Sequence, residues 1–348
     1  MIKNLQSLRF VFIMLVVMSH FIGSTFGFGG EGGVAFFFIL SGFILSYAYG
    51  EKVFLRKFHH KVFLKKQLWK FYPLHLLTFI IMIALDARIG HYYHWTKLLA
   101  NMLLLQSWIP SNDFYFVANG SSWFLSDLLY FYVIFPFLFL FLVRASRRTL
   151  AITGTIILLL YAYMAASIPE DMINPLLYAS PLTRQIDFAV GILLFRMCSS
   201  NIGNHIRKQM ERMTPQQTTW LEIGMGLLVV ISFFIYENAS WRFCCACLFW
   251  FTMPPVLYVF YETDKRLGAI TRLLHTPFMQ WLGTICFEIY LTHWIVMRIT
   301  KSILLRFGID IDHQLLVVIM VTLPLIIAVA WLTRRFFVKP IYSRMALS

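Results

Sequence analysis

The feature that most constrains the fold is a series of apolar runs, each about as long as a helix that crosses a bilayer. The clearest run covers residues 123–142, where Asp127 is the only charged side chain. A helix of that length rises about 30 Å, which matches the hydrocarbon thickness of a membrane. Hydrophobic residues make up 59% of the chain, charged residues 13%, and the mean hydropathy is +0.71, which excludes a water-soluble globular protein of this length. We therefore predict an all-α, polytopic integral membrane protein.

The basic residues between the runs predict how the chain is oriented. The segment 52–70 is rich in lysine and arginine, and such loops are enriched on the cytoplasmic side of a membrane. We predict about ten transmembrane helices in one domain, residues 1–348, with both termini cytoplasmic. The first span begins near Leu8, and the others cover about 33–50, 71–86, 123–142, 150–166, 186–195 and beyond, 220–236, 243–261, 279–297 and 315–332. Residues 86–122 are predicted to form an outer loop with an interfacial helix.

The formal net charge of +14 is consistent with this topology. Seven of the 30 lysines and arginines fall in predicted outer segments: Arg88, Lys97, Arg184, Arg242, Arg298, Lys301 and Arg306. The others lie in short inner segments rather than in a patch interleaved with aromatic residues, so we expect membrane lipids, and no nucleic acid, as partners. This asymmetry supports the predicted topology.

The cysteines indicate neither a disulfide framework nor a metal site. All five lie in or beside predicted spans, and their number is odd. The triplet Cys244, Cys245 and Cys247 lacks the spacing of a zinc site. We expect these thiols to pack in the core, and we expect no metal.

The first span carries the residues that most suggest chemistry. Arg9 and His20 are eleven positions apart, which is close to three helical turns, so both project from one face and are separated by about 16 Å. His20 would then lie a little past the middle of the hydrocarbon layer, where ionisable side chains are energetically costly and usually have a function. A neutral imidazole there has a free nitrogen and is a candidate general base. The alternative is a histidine that only hydrogen-bonds a neighbouring span.

Two further stretches allow a functional and a structural interpretation. The glycine-rich run at 29–33 lacks the Lys-Ser/Thr ending of a nucleotide-binding loop, so we predict a tight outer hairpin, although its N–H groups could also face a substrate. The basic segment that leads into residues 65–75 is an orientation signal and a lipid contact, or a docking site for a phosphorylated cytosolic donor.

Several motifs occur in a recognisable order. They are Leu-Arg and Ser-His within 8–20, Gly-Val-Ala-Phe-Phe-Phe-Ile-Leu-Ser-Gly-Phe at 33–43, Lys-Phe-Tyr-Pro-Leu at 70–74, Trp-Phe-Leu-Ser-Asp at 123–127 and Ile-Tyr-Leu-Thr-His-Trp at 289–294. Over nearly the whole chain this pattern resembles the acyltransferase-3 family of integral membrane proteins. That family transfers acyl groups, usually acetyl, to hydroxyls of extracytoplasmic or envelope carbohydrates. Some members carry a soluble hydrolase-like domain after the membrane part, which we do not expect here.

The resemblance implies an O-acetyltransferase that uses cytosolic acetyl-CoA, or another acyl-CoA, as co-substrate and has no bound cofactor. His20 would be the general base, with Asp127 as a second catalytic residue that holds the imidazole tautomer. Direct attack is favoured over a transient acyl-histidine. The implied donor-binding residues are Arg9, Lys66, Gln67, Lys70 and Tyr72, and the implied substrate-binding residues are Ser41, Trp123, Tyr290 and His293. The acceptor would be a carbohydrate or a glycolipid.

The chain departs from the family pattern before the Tyr-Pro pair. Where many members have Arg-x-x-Arg, this sequence has Gln67 and Lys70. Lysine meets a phosphate as a point charge, whereas arginine binds it with a planar fork.

The alternative function is a proton-coupled transporter or flippase for lipid or sugar. His20, Asp127, Asp187 and Glu288 would then form a proton path, and the prolines at 254–255 would break a helix. This interpretation predicts two related halves with matching interruptions, and the sequence shows no second one. A non-catalytic scaffold would leave the ionisable groups inside the spans unexplained.

Overall fold

A computed structural model describes residues 2–22, 29–309 and 315–346. Every regular element in these ranges is helical, which confirms the all-α prediction. The α-helices are α1 (Lys3–Ile22), α2 (Gly30–Phe54), α3 (His60–Arg88), α4 (Trp95–Met102), α5 (Asn112–Tyr115), α6 (Trp123–Arg144), α7 (Arg147–Ser167), α8 (Glu170–Ile173), α9 (Pro181–Cys198), α10 (Asn201–Glu211), α11 (Pro215–Asn238), α12 (Trp241–Cys244), α13 (Cys247–Glu262), α14 (Ala269–Leu274), α15 (Pro277–Thr284), α16 (Cys286–Leu305), α17 (Leu315–Val317), α18 (Leu323–Thr333) and α19 (Lys339–Ala346). Short 3₁₀ turns cover Gln106–Trp108, Gly120–Ser122 and Thr263–Lys265, and π-helical turns cover Asn174–Tyr178, Val318–Thr322 and Arg334–Val338.

Several helices are long and apolar enough to cross a membrane, as expected for a multi-pass protein. Within the described ranges there are seven: Lys3–Phe21, Gly30–Phe54, His60–Arg88, Gly120–Arg144, Arg147–Ser167, Pro215–Asn238 and Val318–Ser343. Two bent pairs bring the number to nine if each is one span. Glu170–Cys198 turns by 70° into α10, and α15 turns by 66° into α16.

The predicted number of ten spans is therefore not confirmed. The difference lies in the predicted eighth span, because residues 243–261 do not form one continuous helix. The chain breaks between α12 and α13, and α13 has 16 residues with Pro254 and Pro255 inside it. Sixteen residues rise only about 24 Å, less than the hydrocarbon layer.

Helix α2 lies at the centre of the bundle and crosses α9 at a pair of glycines. A Cβ atom on Gly42 would overlap the carbonyl oxygen of Phe188, and one on Gly191 would overlap the carbonyl oxygen of Ile39. Small residues of this kind let helix backbones approach closely within a membrane. The crossing holds the central part of α2 against α9.

The predicted hairpin at the glycine-rich run is wrong where the structure describes it. Gly29, at φ +28°, precedes α2, and the helix already begins at Gly30. A Cβ on Gly33 would lie 2.9 Å from the Phe12 carbonyl oxygen, and one on Gly32 would lie 2.7 Å from Cε1 of Phe233. These glycines therefore allow close packing of α2 against α1 and α11. The preceding residues 23–28 lie outside the described ranges.

Polar side chains anchor α1 at its N-terminal end. The buried Asn4 amide donates to the carbonyl oxygen of Phe260 at 3.0 Å and to Oγ1 of Thr271 at 2.9 Å. The Ser7 hydroxyl donates to the Leu274 carbonyl oxygen at 2.5 Å. These bonds tie α1 to α13 and α14 and so fix the height of Arg9 and His20.

The segment between α3 and α6 contains the predicted short helix, α4, and folds against α6. The Ser126 hydroxyl donates to the Leu104 carbonyl oxygen at 2.7 Å, and the Ser107 hydroxyl donates to the Trp123 carbonyl oxygen at 3.0 Å. Asn119 donates to the carbonyl oxygen of Leu291 at 2.9 Å, which attaches the segment to α16 as well.

Candidate active site

Two cavities lie along α1 and meet near its middle. The larger, of about 910 Å³, is lined by Ser19 and His20 and is called the His20 cavity below. The second, of about 630 Å³, is lined by Arg9 and is called the Arg9 cavity. Three side chains line both cavities and form the boundary between them: Val16, Val34 and Tyr290. Arg9 and His20, which are predicted to lie on one face of α1, therefore line two different cavities, one above the other.

The imidazole of His20 lines the larger cavity and packs against two rings of α16. Its centroid lies 4.8 Å from that of Trp294 and 5.1 Å from that of His293. The ring therefore has one side toward protein and another toward the cavity. A group that enters the cavity can reach this imidazole.

His293 was predicted to bind substrate, but the structure places it behind His20. Its side chain is fully buried and does not line either cavity. Nδ1 lies 2.6 Å from the Tyr290 carbonyl oxygen and 3.2 Å from that of Ile289. Nε2 has no hydrogen-bond partner in the part of the chain that the structure describes.

Asp127 does not hold the tautomer of His20 in this arrangement. It shares a helix face with Trp123, as predicted, but it is fully buried and lines neither cavity. Neither carboxylate oxygen has a hydrogen-bond partner among the described residues, so Asp127 makes no bond to His20. Helical spacing predicts that Trp123 and Asp127 share a face of α6, but it cannot predict whether Asp127 contacts His20 on α1.

The Arg9 cavity carries three cations and one carboxylate. Arg9 and Lys70 line it, and so does Arg334, whose Nη1 lies 3.0 Å from Oε1 of Glu288. The Arg9 Nε atom is buried and has no hydrogen-bond partner within the described ranges. A buried donor of this kind is ready for an anionic ligand.

The other predicted donor residues divide between the Arg9 cavity and its surroundings. Gln67 lines the cavity and is 5% exposed, whereas Lys66 is solvent-exposed and does not line it. Tyr72 is also outside, because its hydroxyl donates to the Met102 carbonyl oxygen at 3.0 Å and so joins α3 to α4. Tyr72 is therefore not placed to bind a donor in this cavity.

The predicted substrate residues also divide. Trp123 and Tyr290 line the His20 cavity. The Tyr290 hydroxyl donates to the Ser121 carbonyl oxygen at 2.6 Å, which fixes the ring at the boundary. Ser41 lines the Arg9 cavity instead, and its hydroxyl donates to the Phe37 carbonyl oxygen at 2.8 Å.

Comparison with known proteins identifies the kind of enzyme that has this site. A family model with the description "Acyltransferase domain" matches residues 2–335. The chain belongs to the acyltransferase-3 family. It is similar to the acyltransferase MdmB of Streptomyces mycarofaciens, with 24% identity over 289 residues, which covers 77% of this chain and 68% of the relative. No solved structure matches. The protein is thus a membrane acyltransferase, and nothing in these comparisons supports the transporter alternative.

The His20 cavity of this acyltransferase contains charged residues that the sequence motifs did not reveal. Glu31 lies in the first turn of α2, and Glu237 lies at the end of α11. On another side of the cavity, Arg298 of α16 forms an ion pair with Asp86, with Nη1 and Oδ1 2.5 Å apart. Of these charged residues, only Glu31 could have been singled out from the sequence, because it lies among the glycines at 29–33. The other groups meet through contacts between distant segments.

Aromatic residues form much of the remaining wall. Trp241 donates from its indole nitrogen to the Tyr236 hydroxyl at 2.5 Å. Tyr93 donates to Oδ2 of Asp86 at 2.8 Å. Burial, together with this hydrogen bond, raises the pKa of Tyr93 to about 12, so the phenol remains protonated at neutral pH. Rings with hydrogen-bonding groups at their edges are typical of pockets that orient a polar ligand.

In the described ranges, no group of three or more His, Cys, Asp or Glu side chains could hold a metal ion. The arrangement offers a basic cavity, an imidazole in the adjoining cavity, and a boundary made of two valines and a tyrosine.

Proposed function

We propose that this acyltransferase transfers an acyl group, acetyl in the simplest case, from cytosolic acyl-CoA to a hydroxyl of an envelope or exported carbohydrate. One observation carries the proposal: the basic Arg9 cavity and the His20 cavity share the boundary formed by Val16, Val34 and Tyr290. A donor and an acceptor that enter from different cavities would meet at this boundary. The family resemblance supports the class of both substrates.

The Arg9 cavity suits the anionic donor. Arg9, Lys70 and Arg334 supply positive charge, and only Glu288 opposes it. Guanidinium groups bind phosphate with two parallel hydrogen bonds, and the ammonium of lysine binds it as a point charge. Phosphates held by these cations would direct the thioester toward the boundary. Gln67 would contact the donor without adding charge.

The His20 cavity suits a hydroxylated acceptor. Trp123, Trp241 and Trp294 present aromatic surface, and Glu31 and Asn174 present groups that can accept a hydrogen bond. Sugar rings combine apolar faces with hydroxyl edges, so this mixed wall could bind both parts.

His20 would act first as a base and then as an acid. It removes the proton of the acceptor hydroxyl while the oxygen attacks the thioester carbonyl carbon. The tetrahedral intermediate then collapses, the carbon–sulfur bond breaks, and the imidazolium returns the proton to the leaving thiolate. The products are an ester and free CoA. Such acid–base catalysis typically contributes about 10² to 10⁴ in rate.

The orientation predicted from the basic loops is compatible with this direction of transfer. We propose that the protein lies in a bacterial inner membrane with both termini in the cytoplasm, so that the basic loops and the Arg9 cavity face the cytosolic acyl-CoA pool. The acceptor would then reach His20 from the membrane or from its outer side.

The function is tested with purified protein in lipid vesicles and with intact cells. In vesicles, we expect release of free CoA from acetyl-CoA only when the acceptor carbohydrate is present. In cells, mass spectrometry of envelope carbohydrates should show acetyl increments, about 42 Da per ester, that disappear when the protein is absent.

A different result would favour the transporter. Movement of a labelled carbohydrate across the vesicle membrane without acylation, at a rate unaffected by removal of CoA, would contradict the proposed function.

A further inference from the structure

We propose that His293 is a positioning residue that stabilises the imidazolium formed when His20 takes the proton of the acceptor. The inference rests on the proposed role of His20 as the base. It gives His293 a role that differs from a contact with substrate, because its side chain is fully buried and lines neither cavity.

The hydrogen bonds of His293 determine where its own proton lies. Nδ1 faces the carbonyl oxygens of Tyr290, at 2.6 Å, and Ile289, at 3.2 Å. Carbonyl oxygens only accept hydrogen bonds, so Nδ1 must carry a hydrogen. In the neutral ring, Nε2 is then a bare acceptor. The backbone of α16 thus fixes the tautomer of His293.

The bare nitrogen has no partner within the described residues, and His20 is the titratable ring beside it. A buried acceptor without a donor is unfavourable, so this atom requires an explanation. The centroids of the two imidazoles are 5.1 Å apart and their planes are tilted by 31°. At that separation, facing ring nitrogens can approach to about 3 Å. Catalytic hydrogen bonds are often long before substrate binds and shorten in the reacting complex.

A bond from His20 to His293 would form when His20 is protonated. The ring of neutral His20 carries one hydrogen, for which the carbonyl of Val16 on the same helix is an acceptor, and its other nitrogen is bare and can take the proton of the acceptor hydroxyl. Once His20 is protonated, the bond between the rings is charge-assisted. In serine hydrolases an aspartate serves this purpose for the catalytic histidine, and Asp127 does not occupy that position here.

Other charged groups near His20 also influence the pH dependence of the reaction. The same cavity is lined by Glu31 on α2, Glu237 on α11, and Arg298 and Lys301 on α16. These four side chains remain unchanged when His293 is replaced, so the pH profile of a His293 variant reports the removed ring nitrogen.

Two variants separate the positioning role from a structural one. His293→Asn keeps an amide donor near the position of Nδ1, so it can still bond the Tyr290 carbonyl, but it has no group at the position of Nε2. His293→Gln places an amide oxygen near the position of Nε2 and loses the donor to the carbonyl. The positioning role predicts that Gln retains more activity than Asn. A structural role predicts the opposite order.

The test measures acyl transfer over a range of pH for the wild type and both variants in lipid vesicles. We expect His293→Asn to lower kcat about 10- to 100-fold, with the KM for donor and acceptor nearly unchanged, because hydrogen bonds to charged groups contribute about that factor. The acid limb of its kcat/KM profile should move to lower pH, and His293→Gln should restore both rate and profile in part. Thermal unfolding of each variant verifies that it is folded.

Four outcomes would overturn the inference. Equal activities of the Asn and Gln variants, or higher activity with Asn, would indicate a structural role. A change confined to KM, with an unshifted pH profile, would indicate a substrate contact. His20→Ala separates this inference from the proposed function: if that variant keeps full turnover, both fail, whereas an inactive His20→Ala beside a fully active His293→Asn refutes only the role of His293.

Discussion

Replacing Gly191 by alanine should force helices α2 and α9 apart. The added Cβ would overlap the carbonyl oxygen of Ile39 and lie 2.9 Å from the amide nitrogen of Phe43. Ordinary contacts between such atoms are about 3.5 Å or longer. The obstructing atoms belong to a helix backbone, so no side chain can rotate away, and the helices must separate or tilt.

The cost follows from the size of this displacement. Overpacking by one methyl group typically destabilises a protein by about 1–3 kcal/mol, and a backbone obstruction should lie near the upper end. Alanine regains at most about 1 kcal/mol of helix propensity relative to glycine. We therefore expect a net loss of about 2 kcal/mol, which corresponds to a fall in Tm of about 3 °C.

Thermal inactivation in detergent provides the assay, with the monodisperse fraction measured by size-exclusion chromatography after heating. The matched controls are Gly154→Ala in α7 and Gly224→Ala in α11, because a Cβ at either glycine would meet nothing within 4 Å. They should leave the apparent Tm unchanged or raise it. If Gly191→Ala were as stable as these controls, the close crossing of α2 and α9 would be refuted.

Two further predictions concern the cavities. Lys70→Gln should raise the KM for acyl-CoA about tenfold, and by less at high salt, because the variant loses one charge-assisted bond to a phosphate. The control is Lys265→Gln, at an exposed site outside both cavities. Equal KM values for the two variants would argue against donor binding at Lys70. Val34→Phe should lower kcat at least about tenfold by blocking the boundary, as measured by release of CoA. The control Val11→Phe lies at an exposed position of α1, and unchanged kcat in Val34→Phe would contradict the shared boundary.

The sequence predicts best what depends on helical periodicity. The eleven-residue spacing placed Arg9 and His20 on one face of α1, and the structure finds each of them in a cavity on that helix. Arg184 and Asp187, three residues apart on α9, also form the kind of ion pair that helical spacing favours, with Nη1 and Oδ2 3.0 Å apart. Both results need information from one helix only.

Helical periodicity does not predict contacts between helices that are distant in the sequence. Glycines such as Gly30, Gly32 and Gly33 are typical of turns, but here the absence of their side chains permits the packing of α2 against α1 and α11. The ion pair of Arg334 with Glu288 joins two segments far apart in the sequence, and neither residue stands in a motif. The position of His293 behind His20 likewise depends on how α16 packs against α1.

The central claim is that His20 is the base for acyl transfer between the two cavities. The most direct measurement is single-turnover transfer from labelled acetyl-CoA in lipid vesicles, for the wild type, His20→Ala and His205→Ala, whose histidine is exposed on α10. We predict that His20→Ala transfers acetyl about 10² to 10⁴ times more slowly while it still binds acetyl-CoA, and that His205→Ala matches the wild type. Wild-type transfer by a folded His20→Ala variant would contradict the claim.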